Sequence, residues 1–172
     1  MTATSVSRDS IRTDPGRGEQ ASLRTWLRLL TCTNLVERQV RARLRDRFDT
    51  TLPRFDVLAQ LDAVSKDADP HLTMSELSRR LMVTNGNLTS LVERLVQEGL
   101  VKRDPLPVDR RTQIVRLTAS GKKAFDAMTP EHQRWIDDLF GGLSVSERRQ
   151  LFELLGKLRS SVQTSLGEER LR

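Results

Sequence analysis

Residues 73–100 read TMSELSRRLMVTNGNLTSLVERLVQEGL, and residues 105–111 read PLPVDRR. Thr73 and Glu76 have the spacing of a capping box, in which the threonine hydroxyl accepts from the backbone N–H three residues on and the glutamate reaches back to the threonine N–H. A short helix is expected from there to Leu81, followed by a turn at Met82–Val83. Thr84 is expected to cap a second helix running to about Glu98. In that helix Leu88, Leu91, Val92 and Leu95 recur at three- and four-residue steps and give it one inward face. Gly99 supplies the left-handed residue that ends a helix, with Leu100 as the apolar residue after it. Leu100 to Asp104 and Thr112 to Leu117 read as two short strands. Pro105 and Pro107 between them favour an extended, ladder-free loop, so a long hairpin with an exposed basic tip is expected.

The order is therefore helix, short turn, helix, β-hairpin with a charged tip. In a helix-turn-helix the second helix lies in the DNA major groove with its N-terminal residues at the base edges. Here that leading turn is Thr84-Asn85-Gly86-Asn87-Leu88-Thr89-Ser90, polar and dense in amides. An asparagine can pair bidentately with adenine N6 and N7. Gly86 leaves room for the groove wall, and the inward leucines point Asn85, Asn87 and Ser90 outward. On the hairpin tip, Arg110 and Arg111 suit the negative potential of a narrow minor groove. Asp109 is expected to orient an arginine through a charge-assisted hydrogen bond. The expected DNA-facing set is Ser75, Arg79, Thr84, Asn85, Asn87, Ser90, Arg94, Asp109, Arg110 and Arg111.

Outward from this unit the chain reads mostly as helix. From Ala21 to about Arg47, Leu23, Trp26, Leu27 and Leu30 are followed by the four-step stripe Val36, Val40, Leu44 and Phe48. A helix of some 27 residues is about 40 Å long, more than a small domain needs, so part of it is expected to pack on another subunit. Thr51 and Pro53 mark a helix to about Ser65, with Phe55, Leu58, Ala59, Leu61 and Ala63 as its apolar positions. Thr118 caps a further helix, which Pro130 is expected to break or restart. Ser144-Val-Ser-Glu147 is a second capping box, and the last helix is expected through about Ser165. Residues 1–20, rich in Ser, Thr, Arg and Asp, are expected to form a disordered arm.

The 172 residues carry a net charge of +6, unevenly spread. Residues 1–48 hold ten Lys/Arg against five Asp/Glu, residues 49–71 two against five, and residues 72–118 eight against five. Such a balance suits a polyanionic partner. Aromatic residues are 4% of the chain and tyrosine is absent, so a monomeric core would be thin, which again points to apolar surface buried between subunits. Cys32 is the single cysteine, which excludes an intramolecular disulfide. No apolar run approaches a membrane span or a secretory signal, so a cytoplasmic protein is expected.

With these pieces in hand, residues 23–165 resemble the MarR family of bacterial regulators. The resemblance rests on residues 77–100 and on Asp109-Arg-Arg-Thr-Gln-Ile-Val-Arg-Leu-Thr118, which fits that family's Asp-x-Arg wing and Leu-Thr exit. It implies a mainly α fold with a small β-hairpin wing: a winged helix-turn-helix lobe plus an intertwined helical dimerisation region. The implied organisation is an arm (1–20), a dimerisation helix (21–50), a winged helix-turn-helix domain (51–118), C-terminal dimerisation helices (119–166) and a tail (167–172). By the same resemblance Asp109 and Arg111 shape and insert the wing tip. Two departures stand out: Ser90 where many members have a basic residue, and Pro130 in a helix that usually runs unbroken.

The resemblance implies a homodimeric regulator, a repressor, that binds a pseudo-palindromic operator in double-stranded DNA and needs no cofactor. Within the family, Trp26, Cys32 and Glu37, with the run Thr51 to Asp56 and Asn85-Gly-Asn87, are similar to regulators of aromatic-acid catabolism. That implies release by a small aromatic carboxylate or an aromatic acyl-CoA. Trp26, Arg28, Cys32, Arg54, Phe55, His132 and Trp135 are the candidate ligand residues, Arg28 and Arg54 for a carboxylate or phosphate. Core packing for Trp26, Phe55 and Trp135, and a surface position for His132, are the plainer readings. Arg38, Arg41 and Arg45 share a helical face that could meet phosphates of coenzyme A or DNA, or be a solvated face interleaved with Glu37 and Asp46. Two alternatives stay open: a redox sensor using Cys32, and a sequence-neutral architectural DNA protein. An enzyme is not expected, because no metal-ligand spacing, nucleophile elbow or phosphate loop appears.

Overall fold

The computed structural model describes residues 20–67 and 70–169, with side chains described to Ser165. It is mainly helical with one small sheet: α1 (Gln20–Phe48), α2 (Leu52–Ala63), β1 (Leu72–Thr73), α3 (Met74–Leu81), α4 (Asn85–Gln97), β2 (Val101–Leu106), β3 (Asp109–Leu117), α5 (Ala119–Leu139) and α6 (Val145–Glu169). The expected arm falls on residues 1–19, outside the described residues but for Gln20, which opens α1. The last helix continues four residues past Ser165, into the stretch expected as tail.

One core holds the lobe together. Val40 and Leu44 of α1, Phe55, Val57, Leu58 and Leu61 of α2, Leu77 of α3 and Leu88, Val92 and Leu95 of α4 meet Val101, Val115 and the α5 residues Phe125, Met128 and Trp135. The stripe read on the 21–47 helix thus splits. In its second half Val40 and Leu44 are buried and Val36 and Phe48 partly so, whereas Leu23, Trp26, Leu27 and Leu30 stay exposed. No described residue of α6 is buried, and Phe152, Leu154, Leu155, Leu158 and Val162 face outward. Val57 joins the core although the apolar pattern passed it over, because α2 is covered on more than one side, by α3, α4 and β3 as well as α5.

The sheet order is β1-β3-β2, antiparallel throughout. Two-residue β1 escaped the sequence reading; Leu72 and Thr73 pair with Val115 and Ile114 just before the capping box opens α3. The wing also corrects an expectation. The ladder does not stop at Asp104: Pro105 stands opposite Gln113 and Leu106 opposite Asp109, with a register shift between Pro105 and Leu106. The seven-residue loop shrinks to a turn at Pro107 and Val108. Pro105 is tolerated because β2 is an edge strand, where a missing N–H deprives no further neighbour.

Pro130 gives the second correction. It lies inside a continuous α5 rather than breaking it. The ring is exposed, and the helix is anchored on the core on both sides of it, by Phe125 and Met128 before and Trp135 after. Tertiary packing outweighs the local cost of the lost hydrogen bond.

The end of α4 is tied to α5 at one knot. Gly99 adopts φ +69°, and the Gly99 and Leu100 N–H groups donate to Val96 O at 2.9 Å and Leu95 O at 2.9 Å, the two bonds of a Schellman ending. Thr118 Oγ1 lies 2.7 Å from Gly99 O and 3.0 Å from Leu100 O, and accepts from the Gly121 N–H at 2.9 Å. Thr118 therefore caps α5 as expected and also pins the end of α4. A Cβ on Gly121 would lie 1.9 Å from Leu100 O. Gly121→Ala is expected to lower stability by about 1–3 kcal/mol or more, since backbone rather than a flexible side chain must move. A urea titration reads this as a lower midpoint.

Asp56 of α2 is half-buried, and its carboxyl is pushed up to about 6, first by burial; Arg41 opposes the shift and Glu37 adds to it. A carboxyl raised in the fold holds its proton between about pH 4 and 6 while the unfolded chain has released it, so stability falls as pH rises through that window. Asp56→Asn is expected to flatten this fall. At pH 7.5 it is expected to raise stability by about 1 kcal/mol after allowance for solvent screening, or about 2–4 °C in the melting midpoint.

Candidate nucleic-acid interface

The interface begins with a cap that works and one that does not. At α3, Thr73 N donates to Glu76 Oε2 at 2.8 Å and Glu76 N donates to Thr73 Oγ1 at 3.1 Å, a complete capping box. The Thr73 N–H bond, then the hydroxyl, holds the Glu76 carboxyl below its usual range. The box at Ser144 and Glu147 forms likewise, with Ser144 N 2.7 Å from Glu147 Oε2. At α4, Thr84 sits at the N-cap with φ −71° and ψ 149°, but its hydroxyl makes no capping hydrogen bond. This corrects the expectation of a threonine cap. The first N–H groups of α4 lack a side-chain acceptor and point out of the helix end, where a helix N-terminus favours an anion.

The turn between the two helices is closed from both sides. Val83 N donates to Ser78 O at 3.2 Å, and Ser78 Oγ donates back to Val83 O at 2.6 Å. Met82 takes φ +54°, a left-handed conformation unusual for a non-glycine residue, and its side chain is 92% exposed. Neither feature was legible from residue type, because glycine or asparagine is the usual signal there.

Leu88, Val92 and Leu95 are fully buried, which fixes the rotation of α4 about its axis. Thr84, Asn85, Gly86, Asn87 and Ser90 are all exposed in consequence, as are Ser75 and Arg79 on α3 and Arg94 farther along α4. Thr89 spends its hydroxyl on Asn85 O at 2.8 Å. Among the described residues, Arg79, Arg94, Arg110 and Arg111 make no ion pair. Their charges are free for another partner.

On the wing, Asp109, Arg110 and Arg111 are exposed. The Asp109 carboxylate accepts from the Arg111 backbone N–H at 3.1 Å and from Thr112 Oγ1 at 2.7 Å, and these bonds hold its pKa below the ordinary value, the hydroxyl contributing most. The expected contact to a guanidinium is replaced by one to backbone, so the aspartate sets the shape of the tip and leaves both arginine side chains unpaired. Val108, 89% exposed at the apex, was not singled out in sequence.

The candidate ligand residues separate into three groups. His132 stacks on Phe55 with ring centroids 4.5 Å apart and meets Trp135 edge-on at 6.5 Å. Phe48 and Phe125 extend the cluster. Phe55 and Trp135 are buried core residues, and burial holds His132 below its usual pKa. Arg54 is ion-paired with Glu98, the residue that ends α4, and so couples α2 to the recognition helix. Trp26, Arg28 and Cys32 lie exposed on the first half of α1. Among the described residues no group of acidic, histidine or cysteine side chains is arranged to hold a metal ion, and no helix is long and apolar enough to cross a membrane.

A family model described as the MarR family matches residues 48–112. An HTH-type transcriptional regulator of Bacillus cereus is 32% identical over 134 residues, which are 77% of this chain and 85% of the relative. Among solved structures, a cysteine-to-serine mutant of MarR from E. coli, crystallised with operator DNA, aligns with a TM-score of 0.69 at 27% identity, covering 83% of this chain and 99% of that one. AbsC, a MarR family transcriptional regulator from Streptomyces coelicolor, aligns with a TM-score of 0.73 over 87% of this chain and 99% of its own, and at 20% identity it supports the fold alone.

The two helix starts predict opposite outcomes for one substitution. Thr73→Ala is expected to cost about 1 kcal/mol, the worth of a working cap. Thr84→Ala is expected to change stability by no more than about 0.5 kcal/mol, as at an ordinary surface site. Thermal unfolding of the two variants side by side checks this.

Proposed function

The chain belongs to the MarR family of winged-helix transcription regulators, and we propose that it works as a homodimer that reads a pseudo-palindromic operator with paired α4 helices and wings. The observation that carries the reading is the exposed, uncapped, amide-rich leading turn of α4 together with a wing tip that carries two unpaired arginines. Asn85 and Asn87 address base edges in the major groove. Arg110 and Arg111 address the minor groove, with Arg79 and Arg94 on phosphates. The MarR relative from E. coli is known bound to operator DNA, which supports this assignment.

The dimer reading rests on uncovered apolar surface. Leu23, Trp26 and Leu27 of α1 and Phe152, Leu154 and Leu158 of α6 are between 46% and 79% exposed. Two long helices with such faces are stabilised by burying them against a second copy. We assign the regulator a repressor role relieved by a small aromatic carboxylate or aromatic acyl-CoA. The His132–Phe55 stack, next to Trp135 at the joint of α2 and α5, supports an aromatic ligand, and Arg54, which precedes Phe55 on α2 and would have to exchange Glu98 for the ligand, is the candidate partner for its anionic group. Ligand would favour a dimer whose α4 helices no longer match successive major grooves, about 34–36 Å apart. A hundredfold loss of affinity needs only about 2.7 kcal/mol of coupling.

On a duplex selected by the protein from a random pool, Asn87→Ala is expected to relax base choice at one position per half-site by about 1–3 kcal/mol. Arg111→Ala is expected to weaken binding to all sequences and to lower the slope of log affinity against log salt by about one. Fluorescence anisotropy across a salt series separates the two. Equal affinity for selected and random duplexes would overturn the sequence-specific reading. An operator affinity unmoved by benzoate, 4-hydroxycinnamate and their coenzyme A thioesters would overturn the effector reading.

A further inference from the structure

The wing ends in an apolar point. Leu106 and Asp109 are the last paired residues of β2 and β3, so Pro107 and Val108 alone form the tip. Val108 is 89% exposed, and among the described large apolar residues only Met82 is more so. Nothing inside the molecule calls for a valine there. It lies outside the core, and neither tip residue has the positive φ that gives hairpin turns their preference for Gly, Asn or Asp. The tip is nonetheless stiff. Pro107 has a fixed φ, and the β-branched Val108 is restricted at χ1. Asp109 holds the returning strand through the Arg111 N–H and Thr112 Oγ1. A prong made rigid in advance loses little entropy on insertion.

We propose that Val108 is a specificity-determining residue for DNA, packing on the floor of the minor groove and selecting A·T over G·C pairs there. This rests on the DNA reading above and adds to it the residue that reads the groove floor. Widths decide what enters. The minor groove is about 6 Å wide. Two paired strands lie about 4.8 Å apart before any side chain is counted, so the ribbon is too wide and only the tip fits. Arg110 and Arg111 are exposed just behind the tip and are long enough to reach the groove from its rim, where they answer its negative potential. A valine acts only in contact. On an A·T pair the floor carries acceptors alone, adenine N3 and thymine O2, which the arginines can pair. A G·C pair adds the guanine N2 amino group. That group takes the space the valine methyls need, and an apolar side chain over it leaves an N–H unpaired and out of water.

Competition binding on the duplex selected by the full chain tests this. Each A·T pair flanking the half-sites is changed singly to G·C, and to inosine·C, which lacks the N2 amino group. With G·C the parent chain is expected to lose about tenfold in affinity at one flanking pair per half-site, and with inosine·C to recover to within about twofold. Val108→Ala is expected to bring the G·C loss below about threefold with the salt slope unchanged, because no charge is removed. Val108→Ile, which keeps a branched apolar tip, is expected to retain the loss. Val108 lies outside the core, so both variants are expected to melt with the parent chain. Full discrimination against G·C in Val108→Ala would overturn the proposal and give the preference to the arginines. A parent chain indifferent to G·C at every flanking pair, or one that rejects inosine·C as strongly as G·C, would overturn it too. Equal affinity of the parent for selected and random duplexes would sink the DNA reading and this proposal with it.

Discussion

The burial of Leu88, Val92 and Leu95 in the core that α4 shares with α2, α3 and β2 is the constraint on which the rest depends. A helix of 13 residues has one rotation about its axis that satisfies these three side chains, all at zero exposure. That rotation delivers Asn85, Asn87 and Ser90 to the surface together. The Gly99 ending and the Thr118 hydroxyl then lock the other end of α4 to the wing and to α5. The leading turn of α4, the wing and α5 thereby form one mechanically continuous unit. The Arg54–Glu98 pair adds a second tie from α2 to the end of α4. A change in how α1 and α5 meet the proposed second subunit would therefore reach α4 through the packed core they share with it.

Much of this was written in local sequence because the signals are local. The Thr73–Glu76 box, the Leu88/Val92/Leu95 spacing and Gly99 each specify structure within a turn or two, and each is found where the pattern placed it. What escaped depends on distant partners. The pairing of Leu72 and Thr73 with β3 bridges some 40 residues of chain, and no periodicity announces a two-residue strand. Pro105 reads as a ladder breaker until it is known that β2 lies at the sheet edge. Pro130 reads as a helix breaker until Phe125, Met128 and Trp135 are seen holding both halves of α5 on the core. Thr84 carries the residue type of a cap without its hydrogen bond, because composition names the donor and acceptor but not the rotamer.

The candidate site divides along the same line. Exposure of Asn85, Asn87 and Ser90 followed from the inward leucine face of α4, whereas the wing roles of Asp109 and Arg111 came with the resemblance to the family's wing motif. The proposed effector residues are scattered over α1, α2 and α5, and only the fold decides which of them meet. It joins Phe55, His132 and Trp135, commits Arg54 to Glu98, and leaves Trp26 and Cys32 on the open half of α1. That open half and α6 carry the apolar surface a monomer leaves uncovered, which ties the proposed ligand chemistry to the proposed dimer.

The central claim is that two copies display the leading turn of α4 at the pitch of a DNA duplex. Hydroxyl-radical footprinting of the full chain on a duplex it selects from a random pool tests this most directly. The account predicts two protected windows related by two-fold symmetry, centred about 10–10.5 base pairs, or a multiple of that, apart. A single window, or protection without phase along the duplex, would contradict it.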